Sequence, residues 1–209
     1  MANTIKQYKS TIFAGAGLFS VLFTVLVLAG IVSLPNFVSA ANPETVNVTA
    51  TISEWLSLAL TTNTANLGEL VSSAGVLTVG SATSGITASS NSSDGYSVTI
   101  IGTNGGLNGS NGGSIVTPAT GVTTTCSTST DGTNAYGAQA TSATLAVSSP
   151  FNVSGNVVGS VASSSQKMLS STYATTTKTA TLTVKASANK YDQNGTYTDT
   201  LTLTAVATP

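Results

Sequence analysis

The dominant period of apolar and polar residues in the chain is two. In "ETVNVTATI", Val46, Val48, Ala50 and Ile52 share one face, and Thr45, Asn47, Thr49 and Thr51 share the other. Such alternation predicts a half-buried strand. "WLSLAL" places Leu56, Leu58 and Leu60 inward, and "GYSVTII" does the same for Tyr96, Val98 and Ile100. In "ATLTVKA" the inward set is Ala180, Leu182, Val184 and Ala186. The closing run aligns Tyr197, Leu201, Leu203 and Ala205 against Thr198, Thr200, Thr202 and Thr204. Shorter strands are expected at 76–79, 144–147 and 156–161. "SSSQKMLSS" at 163–171 reads as one helical turn, and the Gly/Ser/Asn-rich stretches 81–95, 102–114 and 118–134 read as loops.

Asn194-Gly195 suits the two positive-φ positions of a type I′ turn. The pair predicts a hairpin joining a strand near 179–190 to one near 196–207. Short strands separated by turn clusters indicate an all-β fold, an antiparallel β-sandwich of Ig-like or pilin-like type. A single N-terminal hydrophobic helix is expected before it.

That helix belongs to a leader. Lys6 and Lys9 precede an uncharged, mostly apolar run at 11–34; Pro35 ends it, and "FVSAAN" offers small residues for cleavage at Ala40 or Ala41. The form is that of a secretory signal. The run exceeds the usual ~7–15 residues of a signal core and reaches the ~20 needed to span a bilayer. Residues 1–40 are therefore read as a signal peptide, with an uncleaved membrane anchor as the alternative, and 41–209 as an extracellular domain. Either way the N-terminal lysines hold the start of the chain inside and export the rest. No lipid-attachment cysteine, sorting motif or type IV pilin glutamate accompanies the run.

Composition narrows the function. Charged residues make up 6% of the 209 residues, against about 25% in an average domain. With 41% apolar residues and a net charge of −1, a folded core is expected and not disorder. Lysines are few, arginine is missing and no basic cluster occurs beyond the leader, so nucleic acid is not an expected partner. Threonine suits a pleated surface, and a Thr/Ser/Asn face hydrates without charge. Such edges lack the charges that usually guard them, and they are free to pair with a neighbour.

With no histidine in the chain, His-based triads and the usual zinc sets are excluded. Neither a Gly-x-Ser-x-Gly elbow nor a phosphate-binding loop occurs. The carboxylates Glu44, Glu54, Glu69, Asp94, Asp131, Asp192 and Asp199 are scattered, as solvating or capping groups are. Oxygen-rich turns make Asp192, Asn194 and Asp199 candidate calcium ligands, Asp199 meeting Asp192 across the hairpin; turn formation explains the same residues. Trp55, the only tryptophan, reads as a core anchor, with a surface or interface role as the alternative because its parity is opposite to that of Leu56. Tyr136 and Tyr191 are candidate sugar-stacking groups. Cys126, the only cysteine, reads as a small core residue with no nearby cation in sequence to activate it. Sequons at Asn47, Asn91, Asn108, Asn152 and Asn194 are expected by chance in a chain so rich in Ser and Thr.

The leader, "VNVTATISEWLSLAL", "NLGEL", "NSSDGYSVTIIGTNGGL", "NAYGAQA" and "NGTYTDTLTLTA" together resemble short secreted surface proteins of bacteria, including uncharacterised ones of the candidate-phyla group. The ending, with Gly195, Tyr197 and Asp199, is similar to the Gly-x-Tyr-x-Asp strand that closes spore-coat-U and fimbrial-type sandwiches. The paired cysteines common in fimbrial subunits are missing. The resemblance implies an exported, non-enzymatic structural or adhesive protein of the cell surface, without cofactor, that self-associates or meets other surface components. A secreted carbohydrate-binding module with a glycan partner is the alternative, and a secreted hydrolase the third.

Overall fold

The structure is a computed structural model that describes residues 47–71, 75–129, 133–173 and 175–208, the side chain of Thr175 excepted. The leader, with Ala40, Ala41 and residues 11–34, lies outside the described residues. Thr51–Pro209 forms one compact unit. Of the unit before it, residues 47–50 are described; they are exposed and carry no strand.

Among the described residues there are thirteen strands and no helix: β1 (Leu56–Leu60), β2 (Val79–Ser90), β3 (Tyr96–Gly102), β4 (Gly106–Gly109), β5 (Ser114–Val116), β6 (Thr123–Thr125), β7 (Ala135–Thr141), β8 (Ala146–Val147), β9 (Val157–Gly159), β10 (Gln166–Ser171), β11 (Thr175–Ser187), β12 (Tyr197–Thr198) and β13 (Leu201–Ala207). They build three antiparallel sheets, in the orders β1-β2-β11-β7-β9-β6, β13-β3-β10-β8 and β12-β4-β5. The fold is all-β and antiparallel.

Two of the alternating runs bury their apolar faces where the pattern predicts, while β1 leaves Leu56 and Leu58 half-buried and Leu60, expected inward, exposed at the strand end. Tyr96, Val98 and Ile100 of β3 are buried, as are Ala180, Leu182, Val184 and Ala186 of β11. Together with Ile86 and Ala88 of β2 and Met168 and Leu169 of β10, they form one core shared by the first two sheets. The Tyr96 hydroxyl crosses between these sheets and donates to the Ala88 carbonyl at 3.2 Å. Burying such a hydroxyl without a partner would be costly. The 91–95 connection carries the chain from one sheet to the other and ends on Gly95 at φ +82°. A Cβ there would sit 2.0 Å from the Ser171 carbonyl oxygen, so both conformation and space require glycine.

Several expectations are overturned. Residues 47–52 of the first predicted strand are exposed and unpaired. The 81–95 loop is mostly β2, a central strand paired in register with β11 from Val79 to Ala88. Its sequence, "VGSATSGITASS", holds few apolar residues because only Ile86 and Ala88 enter the core deeply; pairing on both sides supplies the rest. The helical turn at 163–171 is strand β10, since Gln166, Met168 and Leu169 find buried places between β3 and β8. Within 102–114, β4 pairs with β5, and Leu107 is buried.

The Asn194-Gly195 hairpin does not form. β11 pairs with β2 and β7, while β12 pairs with β4 and β13 with β3. No described non-glycine residue has positive φ, and Gly195 is not among the positive-φ glycines. Two neighbours already flank β11, which leaves no edge for the returning chain. The closing run is instead divided at Asp199 between two sheets.

Candidate functional site

A cleft of about 700 Å³ opens beside β1 and β12. The 62–71 stretch after β1 forms one bank, and the 192–201 stretch around β12 forms the other. Leu182 and Val184 of β11, Leu107 of β4 and Ile115 of β5 contribute apolar lining, together with Leu60, Leu201 and Leu203. The first bank is held by side-chain bonds from β2 and from the residue just before it. The Ser84 hydroxyl donates to the Thr62 carbonyl at 2.7 Å, and Thr78 donates to the Glu69 carbonyl at 2.7 Å. An isolated bridge between Val71 and Leu77 closes it.

The second bank is organised by two carboxylates. Asp199 Oδ1 accepts the backbone N–H of Asn104 at 3.0 Å and of Thr200 at 2.8 Å, and Oδ2 accepts the Tyr136 hydroxyl at 3.3 Å. Burial pushes the Tyr136 phenol well above its ordinary value, and the Asp199 charge adds to the rise, so Tyr136 stays protonated as a donor. Asp192 Oδ2 accepts the Asn189 N–H at 2.7 Å, and its Oδ1 accepts the Asn134 amide at 3.1 Å. Tyr197 donates to the Gln193 carbonyl at 2.7 Å. Its ring closely approaches Gly109 and Gly113, where a Cβ would come within 2.9 Å and 2.6 Å respectively.

Both aspartates line the cleft, but they do not face each other across a hairpin. Their oxygens are taken up by N–H and O–H donors, whose dipoles favour the carboxylate and oppose a cation at the same atoms. Asn194 joins them on the bank, and its carbonyl accepts the Asn111 amide. Among the described residues no three His, Cys, Asp or Glu side chains converge on a metal-sized site. Glu54, Glu69 and Asp94 stand on separate stretches, and Glu44 and Asp131 lie outside the described residues.

The aromatic candidates are also sorted by the fold. Tyr136 is buried and has no free ring face to offer a sugar. Tyr191 is exposed, with the Lys190 ammonium 4.9 Å from its ring centroid. Trp55 is not a core anchor: it is half exposed just before β1, because its parity points away from the inward leucines. Cys126 is buried beside Ala135 and Val158. Burial raises its thiol pKa, against smaller opposing effects of a Ser187 hydrogen bond and the Lys185 charge.

Sequence reasoning missed the bank at 62–71 and the roles of Asn104, Asn134 and Asn189. Single asparagines in a chain rich in them carry no pattern, and only their partners give them a role. No lysine lines the cleft, and the carboxylate-bearing residues Glu69, Asp192 and Asp199 are part of its lining.

No protein-family model and no curated protein matches this chain. Among the described residues no helix is long and apolar enough to cross a membrane.

Proposed function

We propose that the chain is an exported, non-enzymatic β-sandwich of Ig-like or pilin-like type that serves a structural or adhesive role on the cell surface. One observation carries this reading. Of thirteen strands only β10 and β11 hold charged residues, and these are Lys167, Lys178 and Lys185. The edge strands β1 and β13 hold none, and β13 turns Thr202 and Thr204 outward. Soluble monomers usually protect such edges with charge; bare edges suit a protein that meets neighbours. A surface hydrated by hydroxyls also offers few sites to proteases that cut at basic residues.

A carbohydrate-binding module is the second reading, favoured by the Asn-, Asp- and Thr-rich rim of the cleft. Against it, the two tyrosines at the cleft are Tyr136, which is buried, and Tyr197, whose ring is tight against Gly109 and Gly113. Trp55, Tyr173 and Tyr191 are exposed but do not line it. Labelling intact producing cells with a membrane-impermeant amine reagent tests the surface reading: the protein should be modified without lysis. Labelling only after lysis would defeat it. A glycan array with the same material separates the two readings, since saturable binding to one sugar class supports the module.

A further inference from the structure

The turn signal Asn194-Gly195 forms no hairpin, and its chemistry is left over. An asparagine followed by glycine can lose its side-chain amide. The glycine nitrogen attacks the side-chain carbonyl carbon and closes a five-membered ring. Glycine permits this because no Cβ shields its nitrogen. The chain holds four such pairs: Asn104-Gly105, Asn108-Gly109, Asn111-Gly112 and Asn194-Gly195.

The reaction asks three things of the fold: a glycine N–H that is not tied up, an asparagine side chain free to turn onto it, and access for water. The four pairs meet these needs unequally. Gly109 N–H donates to the Gly113 carbonyl at 2.8 Å, inside a strand paired on both sides. Gly112 N–H donates to the Gly109 carbonyl at 3.0 Å, and the Asn111 amide is engaged with the Asn194 carbonyl. The Asn104 amide is turned to the Thr198 carbonyl at 3.5 Å, and its backbone N–H is held by Asp199. At the fourth pair, Asn194 and Gly195 are both exposed. Among the described residues, neither the Asn194 side chain nor the Gly195 N–H has a hydrogen-bond partner.

The main chain around that pair is nevertheless held. The carbonyls of Gln193, Asn194 and Thr196 accept from the Tyr197 hydroxyl, the Asn111 amide and the Ser110 N–H respectively. The second of these bonds bears on the reaction. When the Gly195 nitrogen loses its proton, the charge is shared with the oxygen of its own peptide group, which is the Asn194 carbonyl. A donor on that oxygen stabilises the anion. Asn111 supplies one.

We infer that Asn194 deamidates in the folded protein ahead of the other three pairs, with Asn111 assisting. Hydroxide takes the Gly195 N–H proton. The nitrogen then bonds to Asn194 Cγ, and the Cγ–Nδ2 bond breaks with loss of ammonia. Water opens the ring on either side and leaves aspartate or isoaspartate. In the isoaspartate the chain runs through Cγ, and the carbonyl that Asn111 held becomes the free carboxylate. Either product adds one negative charge to a chain of formal net charge −1. The charge falls on a cleft bank that already carries Asp192 and Asp199. None of this depends on the surface-protein reading.

Timed incubation of the full-length chain, recovered as the producing cells process it, tests the inference at pH 8 and 37 °C. Trypsin releases residues 191–209 as one peptide whose only asparagine is Asn194. Chymotrypsin serves for the other three pairs, and mass spectrometry reads the replacement of amide by acid at each. Conversion at Asn194 should be at least about tenfold faster than at Asn108 or Asn111, and about threefold faster than at Asn104. In urea the four rates should converge to within about threefold, because the differences belong to the fold. Gly195→Ala should slow the reaction at least about tenfold, and its Cβ meets only the side chains of Ser110 and Asn111, so the fold persists. Asn111→Ala should slow conversion at Asn194 about threefold, with circular dichroism unchanged. Equal native rates at 194, 108 and 111 would overturn the inference. So would a tenfold gap that persists in urea, or an Asn111→Ala chain that reacts as fast as the wild type.

Discussion

Residues here act through partners that are distant in the sequence. Tyr136 and Asp199 show this best, joined at 3.3 Å from two different sheets' strands and turns. Tyr136→Phe removes the donor to a carboxylate and should cost about 1.5–3 kcal/mol in urea denaturation near neutral pH. The same pair fixes an alkaline limit. The folded state raises the phenol above its ordinary value of 10.0, so the stabilisation is complete below that value. Above it the unfolded chain releases the proton while the folded one retains it, and stability falls as pH rises. Melting measured from pH 8 to 11 should show this loss in the wild type, with Tyr136→Phe showing less of it. Glycines differ in the same local way. Gly95→Ala should destabilise by about 1–3 kcal/mol through its positive φ and contact with Ser171. Gly195→Val should cost less than about 1 kcal/mol, because a Cβ there meets only the exposed side chains of Ser110 and Asn111, at 3.1 Å and 3.2 Å.

At the scale of elements, central strands and edge strands separate. β11 lies between β2 and β7, and its inward residues are buried. Leu182→Ala should cost about 2–5 kcal/mol. Leu201→Ala and Leu203→Ala on β13 should cost roughly half as much, since half-buried side chains lose less apolar area. Thr202→Val, on the outer face, should stay within about 0.5 kcal/mol. One urea series covers all four, and equal losses at 182 and 203 would show that β13 is sealed in solution. The alternating runs that form β3, β11 and β13 were legible, because burial on one face leaves a period of two in the sequence. β2 and β7 were not. β7, "AYGAQAT", is buried on both faces: Gly137 packs against Gly159, and the Gln139 amide donates to the Gly155 carbonyl at 2.9 Å. Two buried faces leave no alternation to read.

For the molecule as a whole, charge is nearly absent from the sheets, so the fold rests on apolar burial and hydrogen bonding. Its melting temperature should shift by no more than about 2 °C between 10 mM and 500 mM NaCl, since few charge pairs exist for salt to screen. A larger shift, read by scanning calorimetry, would point to electrostatics that the strands do not contain.

What the sequence determined by itself is the class of structure and the faces of its strongest strands. A two-residue period is a local consequence of pleating, and it survives in any fold that buries one side. The uncharged, threonine-rich exterior was equally visible, because it depends on composition alone. Pairing was decided only by the tertiary structure. Asn194-Gly195 is a strong local turn signal, yet β11 already had β2 and β7 as neighbours and the returning chain went to β4 and β3 instead. The cleft, the contact of Asn111 with Asn194 and the Tyr136–Asp199 bond arise from the same step. Each joins stretches far apart in sequence, and strand order depends on which edges remain free after the core has closed.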